Sequence, residues 1–374
     1  MIDVGAGKLP REQFSAGTIT RSRIRALFIL TSWLLVFTGF AKASGSVGTD
    51  GTVPKNQIIA TVPVGIYPWG IAVSPDSSTV YVANLYPNTV TVIDAKNGYR
   101  SKATIKGLFG PSIVATNRDG TVLYVATAGT PGAVAVIDAA RTSYPVLANI
   151  TVGTYPEGMA LSPNGKQLYV TNYGFQSFPG TVSVISTETN QVTATIVTHG
   201  NPFLVFFISN GEQADVLNAA GTGFLQFVNS VTGAVSSSVG AGGVVNSPAG
   251  MVADQSGGTV YMADYENSVV VAKGNDGTVQ KTILTASSPY SAVTLGQPAL
   301  TPNGKYLYVP RQYDGATSTP VDDVVMIETG TGHIASQSIS VGGDPLWAQA
   351  APDGKTLYVG NIGNNTVTVV DISP

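Results

Sequence analysis

Apolar and polar positions alternate in short runs along most of the chain. "TVSVIS" at residues 181–186 and "QVTATIV" at 191–197 put an apolar side chain at nearly every second position, the period of a strand buried on one face. "QLYVTN" at 167–172 is instead almost continuously apolar or aromatic, which suits a strand covered on both faces. Between these runs lie Tyr-Pro, Pro-Asn-Gly, a loop rich in Gly and Pro, and Thr-Glu-Thr-Asn, each a chain-reversing segment. The unit from "LANITVG" onward therefore predicts four strands, "ANITVG", "EGMALS", "QLYVTN" and "TVSVIS", joined as successive hairpins.

The unit repeats. A tyrosine with a polar residue three places later recurs in "VYVAN" (Tyr81, Asn84), "LYVAT" (Tyr124, Thr127), "LYVTN" (Tyr169, Asn172), "VYMAD" (Tyr261, Asp264), "LYVPR" (Tyr308, Arg311) and "LYVGN" (Tyr358, Asn361). A degenerate copy, "DVLN", has Asp215 at the tyrosine position and Asn218 after it. The spacing of roughly 43 to 50 residues is that of one four-stranded blade per repeat. The predicted fold is all-β: a seven-bladed β-propeller of four-stranded antiparallel blades.

Phase predicts how the ring closes. The chain ends on "TVTVVDISP", which matches the third strand of its blade, while "QIIATVPVG" from Gln57 matches an outer strand with no blade of its own. Pairing residues 57–64 with 366–372 lets the N-terminal strand complete the last blade and removes two open sheet edges. Each inner strand is expected to start at a proline, Pro68, Pro111, Pro156, Pro202, Pro248 and Pro345, with Leu295 at the equivalent point of the sixth blade. Gly70, Gly158 and Gly250, two places on, are expected where the backbone crowds the axis. The tyrosines are expected to fill the space between blades, and the asparagines to bond loop backbone.

Composition changes the picture at the N-terminus. Arg21, Arg23 and Arg25 precede the apolar run "ALFILTSWLLVFTGF", and "AKA" at 41–43 supplies small residues for cleavage, so 1–43 is expected to be a signal peptide. The run is shorter than the roughly 20 residues a spanning helix needs, so no stable membrane insertion is expected after cleavage. Residues 44–56 are expected to be a flexible linker and 57–374 the propeller. Residues 44–374 hold 13 basic and 20 acidic side chains, a net charge of about −7, which disfavours nucleic acid as a partner. The chain has no cysteine, hence no disulfide, thiolate metal site, covalent haem or lipidated cysteine. A monomer in the periplasm or secreted medium is expected.

"LYVTN", "SPNGK", "TYPEG" and "TVSVI" together resemble the YVTN-repeat seven-bladed β-propeller family of exported bacterial and archaeal surface-layer proteins. The resemblance spans 57–374. It implies the scaffold and export, while the ligands and activities of such propellers are diverse.

Loops entering the inner strands and loops leaving the tyrosine strands share one face, the upper; the "SPNGK" turns share the lower. His199 falls on the upper face and His333 on the lower, so they cannot form one site. No nucleophile elbow, zinc helix, calcium loop or phosphate-cradling glycine motif is present; "GAGGVV" at 240–245 reads as a loop between blades and "VDD" at 321–323 as a solvated one. No catalytic residue, metal or cofactor is expected. Insertions "YGFQSFPG", "TASSPYSAVTL" and "RQYDGATSTPVDD" all fall on the upper face. Its rim is expected to comprise Trp69, Tyr86, Glu157, Tyr173, Phe203, Asp264, Tyr265, Arg311, Tyr313 and Trp347, suited to a protein, peptide or glycan ligand. Trp69 and Trp347 have a second reading, as a plug of the channel. The rival function is a lactone hydrolase, since lactonases of the 6-phosphogluconolactonase type have similar propellers; it would draw on Glu157, Arg311 and His199. A surface-array or electron-transfer subunit, distinguished by stable assembly, is a third reading.

Overall fold

The computed structural model describes residues 53–374 except 175–178, 209–210, 220–221, 237–244, 247, 266, 286–292 and 314–321. The expected leader, the first part of the linker, and most of the three upper-face insertions lie outside the described residues.

Seven antiparallel sheets follow one another along the chain, forming a seven-bladed β-propeller. Blade 3 is the regular example: Pro156–Leu161, Gln167–Asn172, Thr181–Ser186 and Gln191–Val197 pair in order from axis to rim. In blade 7, Pro345–Ala350, Thr356–Asn361 and Thr366–Asp371 are completed by Gln57–Pro63, which runs in register from Gln57 opposite Asp371 to Pro63 opposite Thr366. The ring closes as the phase of the repeat requires. Beside this junction Lys55 N donates to the Ser373 carbonyl at 3.0 Å and Asn56 Oδ1 accepts from the Tyr308 hydroxyl at 2.8 Å.

The "SPNGK" phrase recurs because it builds a self-contained turn. Ser162 Oγ donates to Asn164 Oδ1 and accepts from Gln167 N, while Asn164 Oδ1 also takes Lys166 N. Short polar side chains thus satisfy the reversing backbone between first and second strands.

The repeated tyrosines lie buried between blades as expected. Tyr169 stands edge-on to Phe207 of blade 4, with ring centres 4.8 Å apart, and Tyr358 of blade 7 meets Tyr99 of blade 1 at 6.4 Å. Each ring removes apolar area from water on both sides of a blade interface. The asparagines act differently from the expectation. Asn172 Nδ2 donates to Thr181 Oγ1 and Ser183 Oγ, and Asn361 Nδ2 to Thr366 Oγ1 and Thr368 Oγ1, so they lock the second strand to hydroxyls of the third more than to loop backbone.

The glycine expectation also needs a new reason. A Cβ on Gly158 would lie 2.6 Å from the Phe203 carbonyl oxygen, and one on Gly70 2.5 Å from the Ser112 carbonyl oxygen. It is the next blade's inner strand, and not the axis, that leaves no room. Around the ring this position reads Gly70, Ile113, Gly158, Leu204, Gly250, Gln297, Trp347, small alternating with large. Seven is odd, so strict alternation cannot close, and two large side chains fall together in blades 6 and 7. There the inner strand of blade 6 is broken into Val293–Leu295 and Ala299–Leu300. In the gap Gln297 forms a parallel bridge to Trp347, with Gln297 N donating to the Leu346 carbonyl at 2.8 Å and Ala348 N to the Gln297 carbonyl at 3.0 Å. Its side chain reaches the other neighbour, accepting from Met251 N at 3.0 Å and donating to the Met251 carbonyl at 2.7 Å. One glutamine thereby satisfies inner-edge backbone groups on both flanking blades.

Candidate functional site

The upper face is organised by the residue before four of the prolines. Tyr67, Gly110, Tyr155 and Asp344 have φ of 59°, 54°, 51° and 50°. A left-handed residue ahead of proline is disfavoured for any side chain. It is held from both sides. The N–H groups are taken by the preceding blade: Tyr67 N by Asn365 Oδ1, Gly110 N by Asn88 Oδ1, Tyr155 N by the Gly129 carbonyl and Asp344 N by Asp322 Oδ1, all between 2.9 and 3.2 Å. The carbonyls of Gly110, Tyr155 and Asp344 accept from Ala128, Tyr173 and Ile362 in their own blades. These links run from loops after tyrosine strands to loops before inner strands, so the two loop sets do share one face.

Below this mouth lies a cavity of about 290 Å³ on the axis, walled by the inner strands of all seven blades, with Ile71, Ile113, Met159, Leu204, Met251, Gln297 and Trp347 among its lining. Trp347 does two things at once. It packs against the apolar cluster joining blades 7 and 1, which includes Ile71 and Val367, and it faces the cavity. Its buried indole N–H has no hydrogen-bond acceptor among the described residues.

The expected rim residues separate into groups. Trp69, Glu157 and Phe203 each directly follow the proline, where the inner strands bulge between Pro68 and Ile71, Pro156 and Gly158, and Pro202 and Leu204. A bulge re-aims a side chain next to a site. All three are half-buried. Tyr86 is 47% exposed and stands edge-on to Tyr67, ring centres 6.1 Å apart. Tyr173 and Tyr265 follow their tyrosine strands and are half-buried; Tyr313 ends Tyr306–Tyr313, paired with Val293. Asp264 is buried within its hairpin, where its carboxylate takes Ser268 N at 2.7 Å and Ser268 Oγ at 2.5 Å. Arg311 is opposite Leu295, as the alignment of the sixth blade requires, and its guanidinium forks onto Asp323 at 2.8 and 2.6 Å while reaching the Thr285 carbonyl at 2.6 Å. Asp264 and Arg311 thus serve their own blades.

Sequence reasoning passed over Phe109 and Tyr155. Phe109 is 72% exposed and Tyr155 39%, and with Tyr86 they are the exposed aromatics among the described residues. All three lie on the upper face, on blades 2, 3 and 1. The Tyr-Pro pair at 155–156 marks a turn in the sequence, but nothing there marks Tyr155 or Phe109 as exposed.

Charge is sorted the same way. Among the described residues the upper face carries Lys106 and Arg311, the latter neutralised by Asp323; the other lysines and arginines lie in lower-face turns or the lower halves of outer strands. Glu157, Asp322 and Asp344 remain on the upper face. Burial alone pushes the Glu157 carboxyl up to about 8. The Tyr173 hydroxyl is pushed up by burial first and by the Glu157 charge second. His199 is exposed, its backbone N–H bonded to Gln226 Oε1, and His333 is exposed on the opposite face. No group of three His, Asp or Glu side chains converges on a common point among the described residues.

No protein-family model matches this chain, and no curated protein matches it. Among solved structures it is similar to a chain titled Kuenenia stuttgartiensis hydrazine synthase, with a TM-score of 0.71 and 20% identity over 88% of this chain and 100% of that one. A likeness at that identity carries the fold alone.

Proposed function

We propose that the chain is an exported, non-catalytic propeller of the YVTN-repeat type, periplasmic or secreted, that binds a protein, peptide or glycan through its upper face. The observation that carries this reading is the placement of Tyr86, Phe109 and Tyr155, exposed on three successive blades of one face. Exposed aromatic rings offer apolar area to a sugar ring or side chain at little entropic cost. The rival hydrolase needs Glu157, Arg311 and His199 to act together; they belong to blades 3, 6 and 4, and the Arg311 fork is already committed to Asp323. Binding therefore ranks first.

The test is a peptide and glycan array probed with the full chain and with Tyr86→Ala/Phe109→Ala. Loss of a captured ligand at an unchanged Tm supports the reading, and equal capture by both proteins removes it. Export is tested separately by sequencing the N-terminus of protein recovered outside the cytoplasm, which should begin near Ser44.

A further inference from the structure

Glu157 is an upper-face acid to which the described residues supply neither a hydrogen bond nor a cation. It sits in the bulge of an innermost strand at the channel mouth, directly after Pro156, whose carbonyl accepts from Ser112 Oγ of blade 2. It accepts no hydrogen bond and meets no cation among the described residues, and desolvation is the whole of its perturbation. Asp264 is satisfied by Ser268, Asp323 by Arg311, and Asp322 accepts from Asp344 N. A half-buried carboxylate that has lost part of its hydration and has no partner settles either by holding a proton or by taking a cation.

The surroundings favour a cation. Tyr173 of the same blade is near enough to feel the Glu157 charge, the backbone of Phe203 in the next blade packs against Gly158 beside it, and ring faces attract ammonium and guanidinium groups. Lys106 is the one described upper-face cation without an acidic partner, so little repels an incoming positive charge. The three exposed aromatics extend across blades 1 to 3, wider than a single small ion would use.

Resting on the binding function above, we propose that the ligand is a polypeptide segment that sets a lysine or arginine side chain against Glu157 at the channel mouth, while its flanking apolar residues lie across Phe109 and Tyr86. Charge complementarity fixes the class: an acidic side chain could not take the place of the Glu157 proton and would meet Asp322 and Asp344 on the same face. A neutral glycan would leave Glu157 as it found it. Since the Glu157 carboxyl titrates at about 8, it holds its proton at neutral pH in the free protein, and a cation docking on it expels that proton to solvent.

The test uses calorimetry at pH 7 in buffers of different ionisation enthalpy. The probes are capped pentapeptides with flanking tyrosines and a central lysine, arginine, norleucine or glutamate, together with free lysine amide. The lysine and arginine peptides should bind roughly tenfold or more tighter than the norleucine peptide, and close to one proton should be released per site. Glu157→Gln should abolish both the preference and the proton release at an unchanged Tm, while still binding the norleucine peptide.

Equal affinity for lysine and norleucine peptides overturns the proposal yet leaves the upper-face reading standing if Tyr86→Ala/Phe109→Ala still weakens both. Binding of glycans and of no peptide overturns it in the same way. Free lysine amide binding as tightly as the pentapeptide overturns the polypeptide as its source. Peptide binding that survives Tyr86→Ala/Phe109→Ala unchanged removes the upper-face reading itself.

Discussion

Blades 3 and 4 are neighbours built on one plan, and they fill the same slot with opposite chemistry. Tyr169 of blade 3 is buried edge-on against Phe207, its hydroxyl giving a long 3.4 Å bond to the Ser230 carbonyl. Asp215 of blade 4 is equally buried, with Oδ1 taking Gln213 Nε2 at 2.6 Å and Oδ2 unpartnered among the described residues. The outer strand of blade 3 is continuous, Gln191–Val197, while blade 4 offers two pieces, Val235–Ser236 and Val245–Asn246, both paired with Thr222–Asn229. The register of the tyrosine strand survives all this: Gln213 to Asn218 pair with Asn229 to Phe224 without a slip. Backbone pairing and ring closure set the position of the slot, and the side chain decides only what the slot contributes.

The largest effect should come from emptying the regular slot. Tyr169→Ala leaves a cavity between blades 3 and 4 and should cost roughly 3–5 kcal/mol in urea unfolding. Tyr169→Phe should cost less than about 1 kcal/mol, since the hydroxyl bond is long. Equal losses for the two would place the stabilisation in the hydroxyl, and the contrast with Asp215 would disappear.

Asp215 should give the next effect, and it depends on pH. Burial raises its carboxyl to about 7, against an ordinary value near 3.8 in the unfolded chain. Between those values the folded state holds a proton that the unfolded state has lost, so this residue makes stability fall as pH rises from about 4 to about 7, then level off. The span is at most about 4 kcal/mol. Asp215→Asn should match the parent near pH 4 and exceed it at pH 8. Parallel pH curves for parent and variant would show that the aspartate does not titrate in its slot.

Much of this contrast was legible in advance. The seven repeats, the closure through Gln57–Pro63 and the equivalence of Leu295 with the prolines all follow from local periodicity, because strand pairing is set by alternation and turn residues. The weak fourth blade was visible as an aspartate where the others carry tyrosine. Three features were hidden. The break at Gln297 comes from packing seven inner strands around one axis, a property of the whole ring. The pairing of Arg311 with Asp323 crosses a loop with no periodic signal. Exposure of Phe109 and Tyr155 depends on a left-handed backbone before proline, imposed by the preceding blade.

A smaller effect separates the two asparagines. Asn172 Nδ2 donates at 3.0 and 2.9 Å to two hydroxyls, whereas Asn218 Nδ2 makes bonds of 3.3 and 3.4 Å to the Val216 carbonyl and Gln226 Oε1. Both amides are buried, so alanine at either position removes a partner from its surroundings. Asn172→Ala should cost about 2 kcal/mol and Asn218→Ala about 1 kcal/mol or less. Denaturant midpoints at constant slope would rank them, and a larger loss at Asn218 would mean that blade 4 leans on its asparagine more than the distances indicate.

The smallest expected difference lies in the lower turns, where the two blades look alike from the sequence. Gly165 and Gly211 have φ of 72° and 73°, so alanine at either pays a left-handed penalty of about 1 kcal/mol. Their surroundings differ. A Cβ on Gly165 would find only Arg118 Cδ at 3.9 Å, an ordinary contact, whereas one on Gly211 would meet Pro163 of blade 3 at 3.1 and 3.3 Å. The proline ring cannot swing aside as an arginine stem can. Gly211→Ala should therefore cost more than Gly165→Ala by a few tenths of a kcal/mol. If the two variants unfold at the same denaturant concentration, the turn of blade 4 yields to its neighbour, and the weakness of that blade extends from its slot to its lower edge.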